Sequence, residues 1–261
     1  MPMHLAGFNP GAAGIDSAGV FAAVAPLADP MLFIQGNNIR VPVDMPNLLY
    51  AAGGADGVVI PRWRLTSPSL IARGRPEVKP LNVQNAAAVV PDSPPGIAWY
   101  MENVLELAPD ELLFAELNNN PAAAQIQWLL TQFCDRAPTP ITGAPIETHR
   151  AASAVAAVAA VWTNVVIAFD DALQPGTYAV VGMRPQSATM VAARMVFNND
   201  PGHRPGALGS ALAQGKTDSH FRYGRLGEWG RFPFTQIPTI DVLCNAADAA
   251  QEFEIDLIRV G

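Results

Sequence analysis

Apolar and polar residues along this chain alternate mainly with the period of β-strands. From Glu252 to Leu257 the sequence reads EFEIDL, in which acidic and apolar residues alternate strictly. Such alternation predicts a strand with one face on a core and the other in water. Further strands are predicted at the apolar and β-branched segments LFIQGNNIRVPV, VVIPRWRL, IAWYMENVLEL, ELLFAEL, WTNVVIAF, TYAVVGM, TMVAARMVF and TIDVLC.

Two segments stay ambiguous on pattern alone. Gln125 to Phe133 fits a strand or a helical turn, and the Ala-rich stretch from Ala151 to Val161 fits a helix or a strand. No alternation of strands and helices with Gly-rich turns is present, which disfavours Rossmann and barrel α/β folds. Many short strands separated by turn clusters instead predict an all-β protein, a jelly-roll β-sandwich.

The chain is predicted to hold two tandem jelly rolls. The proline-rich segment from Arg136 to Pro145 marks a boundary, because proline stiffens a spacer. The predicted domains are an N-terminal arm (1–31), a first jelly roll (32–136) and a second (146–261). One elaborated jelly roll remains the alternative. The apolar segment from Ser17 to Ile34 is open to two interpretations, an arm against a neighbour or a membrane, or a strand that closes the core.

A weak internal repeat favours two related barrels. Trp99 and Trp162 each precede an Asn-Val pair, a Leu-x-Pro turn and two strands. The turns are LAPD, which leads into ELLFAEL, and LQPG, which leads into TYAVVGM. Common β-meander patterning explains the same order equally well.

Composition restricts the classes of function. With 50% hydrophobic and 15% charged residues, the chain is not predicted to be disordered. Its net charge of −7 and its lack of a Lys or Arg run disfavour direct nucleic-acid binding. Lys79 and Lys216 are its only lysines, which is typical of a surface shared with copies of itself. Cys134 and Cys244 lack the spacing of a metal site or disulfide framework and predict two inert thiols.

No catalytic residue, cofactor or metal is predicted. Nucleophile, metalloprotease and nucleotide-binding motifs are absent from the sequence. Asp170 with Asp171, and Asn198 to Asp200 with His203, are candidate cation sites, but solvated turns explain both better. The carboxylates Glu102, Glu106, Asp110 and Glu111 offer only a weak glycosidase alternative.

Aromatic residues and arginines give two binding hypotheses. The tryptophan side chains could form a carbohydrate-binding face, although tryptophan is more often found in cores and interfaces. Trp99 and Trp229 are the test positions, at which replacement would abolish glycan binding. The glycine-rich segment RYGRLGEWGRF mixes arginine with aromatics, the composition of interface hot spots. Six inter-subunit interface candidates follow from it: Arg222, Tyr223, Arg225, Trp229, Arg231 and Phe232.

Three segments of the C-terminal half resemble viral jelly-roll capsid proteins: Trp162 to Phe197, Arg222 to Phe232, and Ile237 to Val260. In size and layout the whole chain is similar to the compact double-jelly-roll major capsid proteins of icosahedral, membrane-containing phages. The resemblance implies a non-catalytic virion subunit, assembled in the host cytoplasm. It also implies homotrimers that contact neighbouring capsomers, other capsid proteins and an internal viral membrane. A β-sandwich carbohydrate-binding module is the alternative.

Overall fold

The computed structural model describes residues 1–9, 20–55, 62–72, 84–85, 96–99, 104–118, 127–200, 202–209 and 220–261. Regular structure in this part of the chain is almost entirely β-strand, as the sequence predicts. The chain divides into two compact units: His4–Ala137, and Pro138–Gly261 together with Met1–Met3. These are called the N-terminal unit and the C-terminal unit below.

The C-terminal unit is a jelly roll. Its strands are β12 (Glu147–Ser153), β13 (Thr163–Val165), β14 (Ala168–Phe169), β15 (Thr177–Gln186), β16 (Met190–Val196), β17 (Gly206–Leu208), β18 (Gly230–Pro233), β19 (Thr239–Cys244) and β20 (Gln251–Arg259). One sheet has the order β14-β12-β20-β15-β18 and the other β13-β19-β16-β17. With β14 set aside as an added edge strand, the first sheet holds the first, eighth, third and sixth strands. The second sheet holds the second, seventh, fourth and fifth, which is the jelly-roll order.

The N-terminal unit has the same order of strands where it is described. Its elements are β1 (Met3–Phe8), β2 (Ala22–Val24), β3 (Ile34–Gln35), β4 (Asn38–Arg40), β5 (Asn47–Ala55), β6 (Arg62–Thr66), α1 (Pro68–Ala72), β7 (Gln84–Asn85), β8 (Gly96–Trp99), β9 (Leu105–Glu106), β10 (Leu112–Asn118) and β11 (Gln127–Cys134). One sheet runs β1-β11-β5, with β7, β8 and β9 along the far edge of β5. In the other sheet β2 and β4 flank one edge of β10 and β6 flanks the other.

Alternating burial explains why these segments form strands. In β20, Phe253, Ile255 and Leu257 are buried, while Glu252 and Glu254 are partly exposed. The predicted half-buried strand is therefore confirmed. Asp256 departs from the pattern, because it occupies one of the polar positions expected to face solvent and is nevertheless buried. In the N-terminal unit a single apolar cluster fills the core, with Phe8, Ile39, Leu48, Trp63, Leu113 and Phe133 among its members.

The structure resolves the segments that the pattern left open. Gln127–Cys134 is a strand, so the described part of the ambiguous stretch from Gln125 to Phe133 is not helical. The Ala-rich stretch after Ala151 is a strand only as far as Ser153 and continues as an irregular connection. Within the apolar N-terminal segment, Ala22–Val24 pairs with β10, which is the core-strand interpretation. The short helix α1 is not predicted by the sequence pattern.

The internal sequence repeat does not correspond to the structural repeat. ELLFAEL forms β10, which is the next-to-last strand of its unit, whereas TYAVVGM begins β15, the third strand of the other jelly roll. By strand order the counterpart of β15 is β5, and that of β10 is β19. The similar turns therefore reflect common β-meander patterning, and the relation between the two units lies in strand order.

Candidate assembly loop

The predicted interface segment lies along the edge of β15. We call residues 221–229 the arginine–tyrosine loop, and it leads directly into β18, which pairs with the first half of β15. Further along β15, the Met183 amide donates to the Phe221 carbonyl (3.0 Å) and the Gly224 amide donates to the Val181 carbonyl (2.9 Å). The loop thus continues the edge of the sheet as a firmly bound extension.

A buried ionic cluster fastens this loop to β20. Arg222 is 2% exposed, and its Nε and Nη2 donate to the two carboxylate oxygens of Asp256 at 2.7 and 2.9 Å. Its Nη1 donates to Glu254 at 2.6 Å. The Thr148 hydroxyl of β12 donates to Asp256 at 2.7 Å. Bidentate arginine–carboxylate pairs fix geometry as well as charge, so the cluster ties the loop to two neighbouring strands.

The electrostatics of Arg222 keep it charged. Burial by itself lowers the pKa of Arg222, but the hydrogen bond and negative charge of Asp256 and the hydrogen bond to Glu254 outweigh burial and raise it above its ordinary value. A guanidinium so placed is a permanent cation. The cluster therefore depends on the ionised state of its carboxylates and not on that of the arginine.

Glycine at position 182 makes room for this arrangement. A Cβ atom there would lie 2.6 Å from an Asp256 carboxylate oxygen and 2.7 Å from the Phe221 carbonyl oxygen. The register between β15 and β20 also shifts between Val180 and Gly182. That irregularity leaves Val181 out of the pairing with β20, and its carbonyl accepts the hydrogen bond from the loop.

Tyr223 has an unusual backbone conformation within the loop. Its φ is 56°, in the left-handed region that bulky residues rarely adopt. Its amide donates to Asp256 at 2.8 Å, and the Arg222 guanidinium carbon lies 4.7 Å from the centre of its ring. The side chain is nevertheless 59% exposed.

The six interface candidates divide into two groups. Tyr223, Arg225 and Arg231 are exposed, and Arg231 is paired with Glu228 at 2.7 Å. Arg222, Trp229 and Phe232 are instead buried against the strands of their own unit, where Phe232 stacks on Tyr178 at 5.9 Å. The three buried side chains are thus engaged within the chain, and Arg231 is engaged by Glu228, whereas the side chains of Tyr223 and Arg225 are exposed without a carboxylate partner among the described residues.

Sequence reasoning identified the loop but not its anchors. Asp256 and Thr148 were not singled out, because strict alternation places Asp256 among solvent-facing residues. A second cluster was also missed: Asp241 accepts from Arg194 at 2.9 Å and from Arg204 at 2.7 Å. Asn164 donates to the same carboxylate at 2.9 Å. An arginine count far above the lysine count was the one available signal, since arginine suits buried ion pairs.

The other candidate sites have structural contacts. Asp110 pairs with Arg40 at 2.9 Å, and Glu111 accepts hydrogen bonds from Ser67 and Ser69. His203 contacts Asp200 at 2.9 Å. Within the described ranges, no group of three or more His, Cys, Asp or Glu side chains is placed to hold a metal ion. Glu102 lies outside the described residues.

The tryptophans that the structure describes do not form a sugar-binding face. Trp63, Trp128 and Trp229 are buried. Trp162 is half-buried, and its ring lies 4.3 Å from the Arg194 guanidinium carbon. The side chain of Trp99 lies outside the described residues. The carbohydrate-binding alternative therefore loses Trp229, one of its two test positions.

Cys134 and Cys244 are buried free thiols. Burial is the main cause that raises the pKa of Cys134 to about 12 and that of Cys244 to about 11. Among the residues that the structure describes, no helix has the length and apolar character to cross a bilayer.

Comparisons with known proteins add one distant neighbour. No protein-family model and no curated protein matches the chain. Among solved structures, the crystal structure of the major capsid protein P2 from bacteriophage PM2 matches with 11% identity and a TM-score of 0.21. The match covers 93% of this chain and 97% of that protein's chain. The assignment of the fold rests on the strand order and register described above.

Proposed function

We propose that this chain is a structural capsid subunit, which self-assembles as homotrimers into an icosahedral shell. The observation that carries the proposal is the jelly-roll strand order of the C-terminal unit, followed by the described strands of the N-terminal unit as well. Jelly rolls recur in viral capsids because their two curled sheets leave few free strand edges. Two such units in one chain agree with the double-jelly-roll resemblance of the sequence.

The chemistry of the surface supports a structural role. The chain carries 23 acidic and 16 basic residues, so its charge does not favour contact with nucleic-acid phosphates. Its partners in this proposal are copies of itself, other capsid proteins and a membrane beneath the shell. Its location is the virion, after assembly in the host cytoplasm. No catalytic step is assigned to it.

Light scattering coupled to size-exclusion chromatography tests the proposal directly. The purified full chain at micromolar concentration is expected to elute at three times its mass of 27.7 kDa or as larger particles. Negative-stain microscopy of the same fractions is expected to show shells or capsomers. A strictly monomeric protein over this concentration range contradicts the proposal.

A further inference from the structure

Two side chains of the arginine–tyrosine loop, Tyr223 and Arg225, are exposed to solvent. We propose that they form the contact by which one copy of the chain binds a carboxylate-bearing surface of a second copy. The inference rests on the proposed self-assembly and names the residues that mediate it.

The backbone of Tyr223 points to a binding role. A φ of 56° brings the Cβ atom close to the backbone carbonyl, which is why bulky residues avoid this region. Such strain persists where surrounding contacts enforce it, and it concentrates at binding sites. A tyrosine that is 59% exposed contributes little to the core, so folding alone does not explain why this position carries one.

The surroundings hold Tyr223 in place before any partner arrives. Asp256 accepts its amide hydrogen at 2.8 Å, and Asp256 is itself fixed by Arg222. On the other side, the Gly224 amide is bound to the Val181 carbonyl. A contact residue that is already ordered loses little conformational entropy on binding, which favours tight association.

Charge indicates the chemistry of the partner surface. Arg225 is exposed and has no ion pair among the residues that the structure describes. Its charge acts on its surroundings, since it adds to burial in lowering the pKa of His220. A second copy carries an excess of acidic residues, 23 against 16 basic. Tyrosine and arginine are also the residue types enriched in interface hot spots.

Sedimentation velocity on single-residue variants of the full chain tests this assignment. Tyr223→Ala and Tyr223→Gly are each expected to raise the dissociation constant of the assembly about thirtyfold, the effect of losing a hot-spot side chain. Arg225→Gln is expected to raise it about tenfold, with a weaker dependence on salt than the wild type. Melting temperatures are recorded for every variant at the same protein concentration.

Comparison of the two tyrosine variants separates binding from folding. Glycine tolerates positive φ, so Tyr223→Gly is expected to melt above Tyr223→Ala while assembling equally poorly. If the ring served folding alone, assembly would follow stability, and the glycine variant would assemble better than the alanine variant. That result overturns the inference.

Phe33→Ala is the matched control. Phe33 is 62% exposed, and the guanidinium carbon of Arg40 lies 5.1 Å from its ring centre, much as Arg222 lies over Tyr223. The control is expected to assemble like the wild type. Wild-type-like assembly of the Tyr223 variants, or equal loss in the control, overturns the inference and leaves the capsid proposal standing. A monomeric wild type refutes the capsid proposal itself, and the inference falls with it.

Discussion

The carboxylate of Asp256 accepts hydrogen bonds from three residues on two segments of the C-terminal unit, the arginine–tyrosine loop and β12. Arg222 occupies both of its oxygens, the Thr148 hydroxyl binds one and the Tyr223 amide binds the other. A buried charge is tolerated when its partners satisfy it in this way. The arrangement therefore stays stable only while all of its members are present.

Removal of Arg222 is expected to destabilise the protein strongly. Arg222→Ala leaves the Asp256 carboxylate buried without its counter-ion, a change that lowers the free energy of unfolding by about 3–5 kcal/mol. Arg231→Ala is the matched control, because Arg231 is 55% exposed and bound to Glu228. It is expected to cost about 0–1 kcal/mol. Urea unfolding measures both, and equal losses contradict the role given to the buried cluster.

The buried thiols predict a loss of stability in alkali. Folding raises the pKa of Cys244 from 9.0 to about 11, so above pH 9 the unfolded chain loses its thiol proton while the folded chain keeps it. The free energy of unfolding is expected to fall by up to about 1.4 kcal/mol per pH unit and thiol in that range. In Cys244→Ala the free energy of unfolding should fall less between about pH 8 and about pH 10 than in the wild type. Urea unfolding at the two pH values measures this fall, and an equal fall in the variant contradicts the prediction.

At the scale of elements, one carboxylate joins α1 to the turn before β10. Glu111 accepts from the Ser67 hydroxyl at 2.9 Å and from the Ser69 amide at 2.8 Å. It also accepts from the Ala108 amide at 3.2 Å. The helix spans only Pro68–Ala72, too short to be stable alone. Its position therefore depends on this carboxylate and on the buried Leu70.

Glu111→Ala is expected to loosen α1. The variant leaves the Ser69 amide and the Ser67 hydroxyl without the Glu111 acceptor, at a cost of about 1–3 kcal/mol in the free energy of unfolding. Hydrogen exchange at the Ser69 amide should speed up relative to the wild type. Glu147→Ala serves as the control, since Glu147 is 69% exposed and lies beside His149. Exchange that stays unchanged in Glu111→Ala contradicts the joining role.

Sequence pattern predicted elements better than it predicted their surroundings. Strict alternation located β20, and the β-branched and apolar residues of TIDVLC located β19 at its observed residues, Thr239–Cys244. The same alternation assigned Asp256 to solvent, because the loop that covers it comes from 34 residues earlier in the chain. For the same reason the loop was recognised by its composition, while the burial of Arg222 and Trp229 was not foreseen.

At the scale of the whole molecule, strand order could not be derived from sequence. β12 pairs with β20, and β1 pairs with β11, so the first and last strands of each unit lie side by side although most of the unit's sequence separates them. Period-two patterning specifies which face of a strand is buried but not which strand lies beside it. The weak sequence repeat therefore aligned β10 with β15, which occupy different places in the order. The two units are instead related by their strand order, and many unrelated sequences can adopt the same strand order.

The seam between β12 and β20 has a mechanical consequence. These strands are antiparallel, and Glu147 faces Leu257, so the start of β12 and the end of β20 lie at the same end of the seam. Tension applied at this end would separate the two strands one residue pair at a time. The second pair from this end is Thr148 opposite Asp256. The Arg222 cluster therefore sits where fraying begins. It holds this end of the two strands together, and we expect the C-terminal unit to resist tension at this point first.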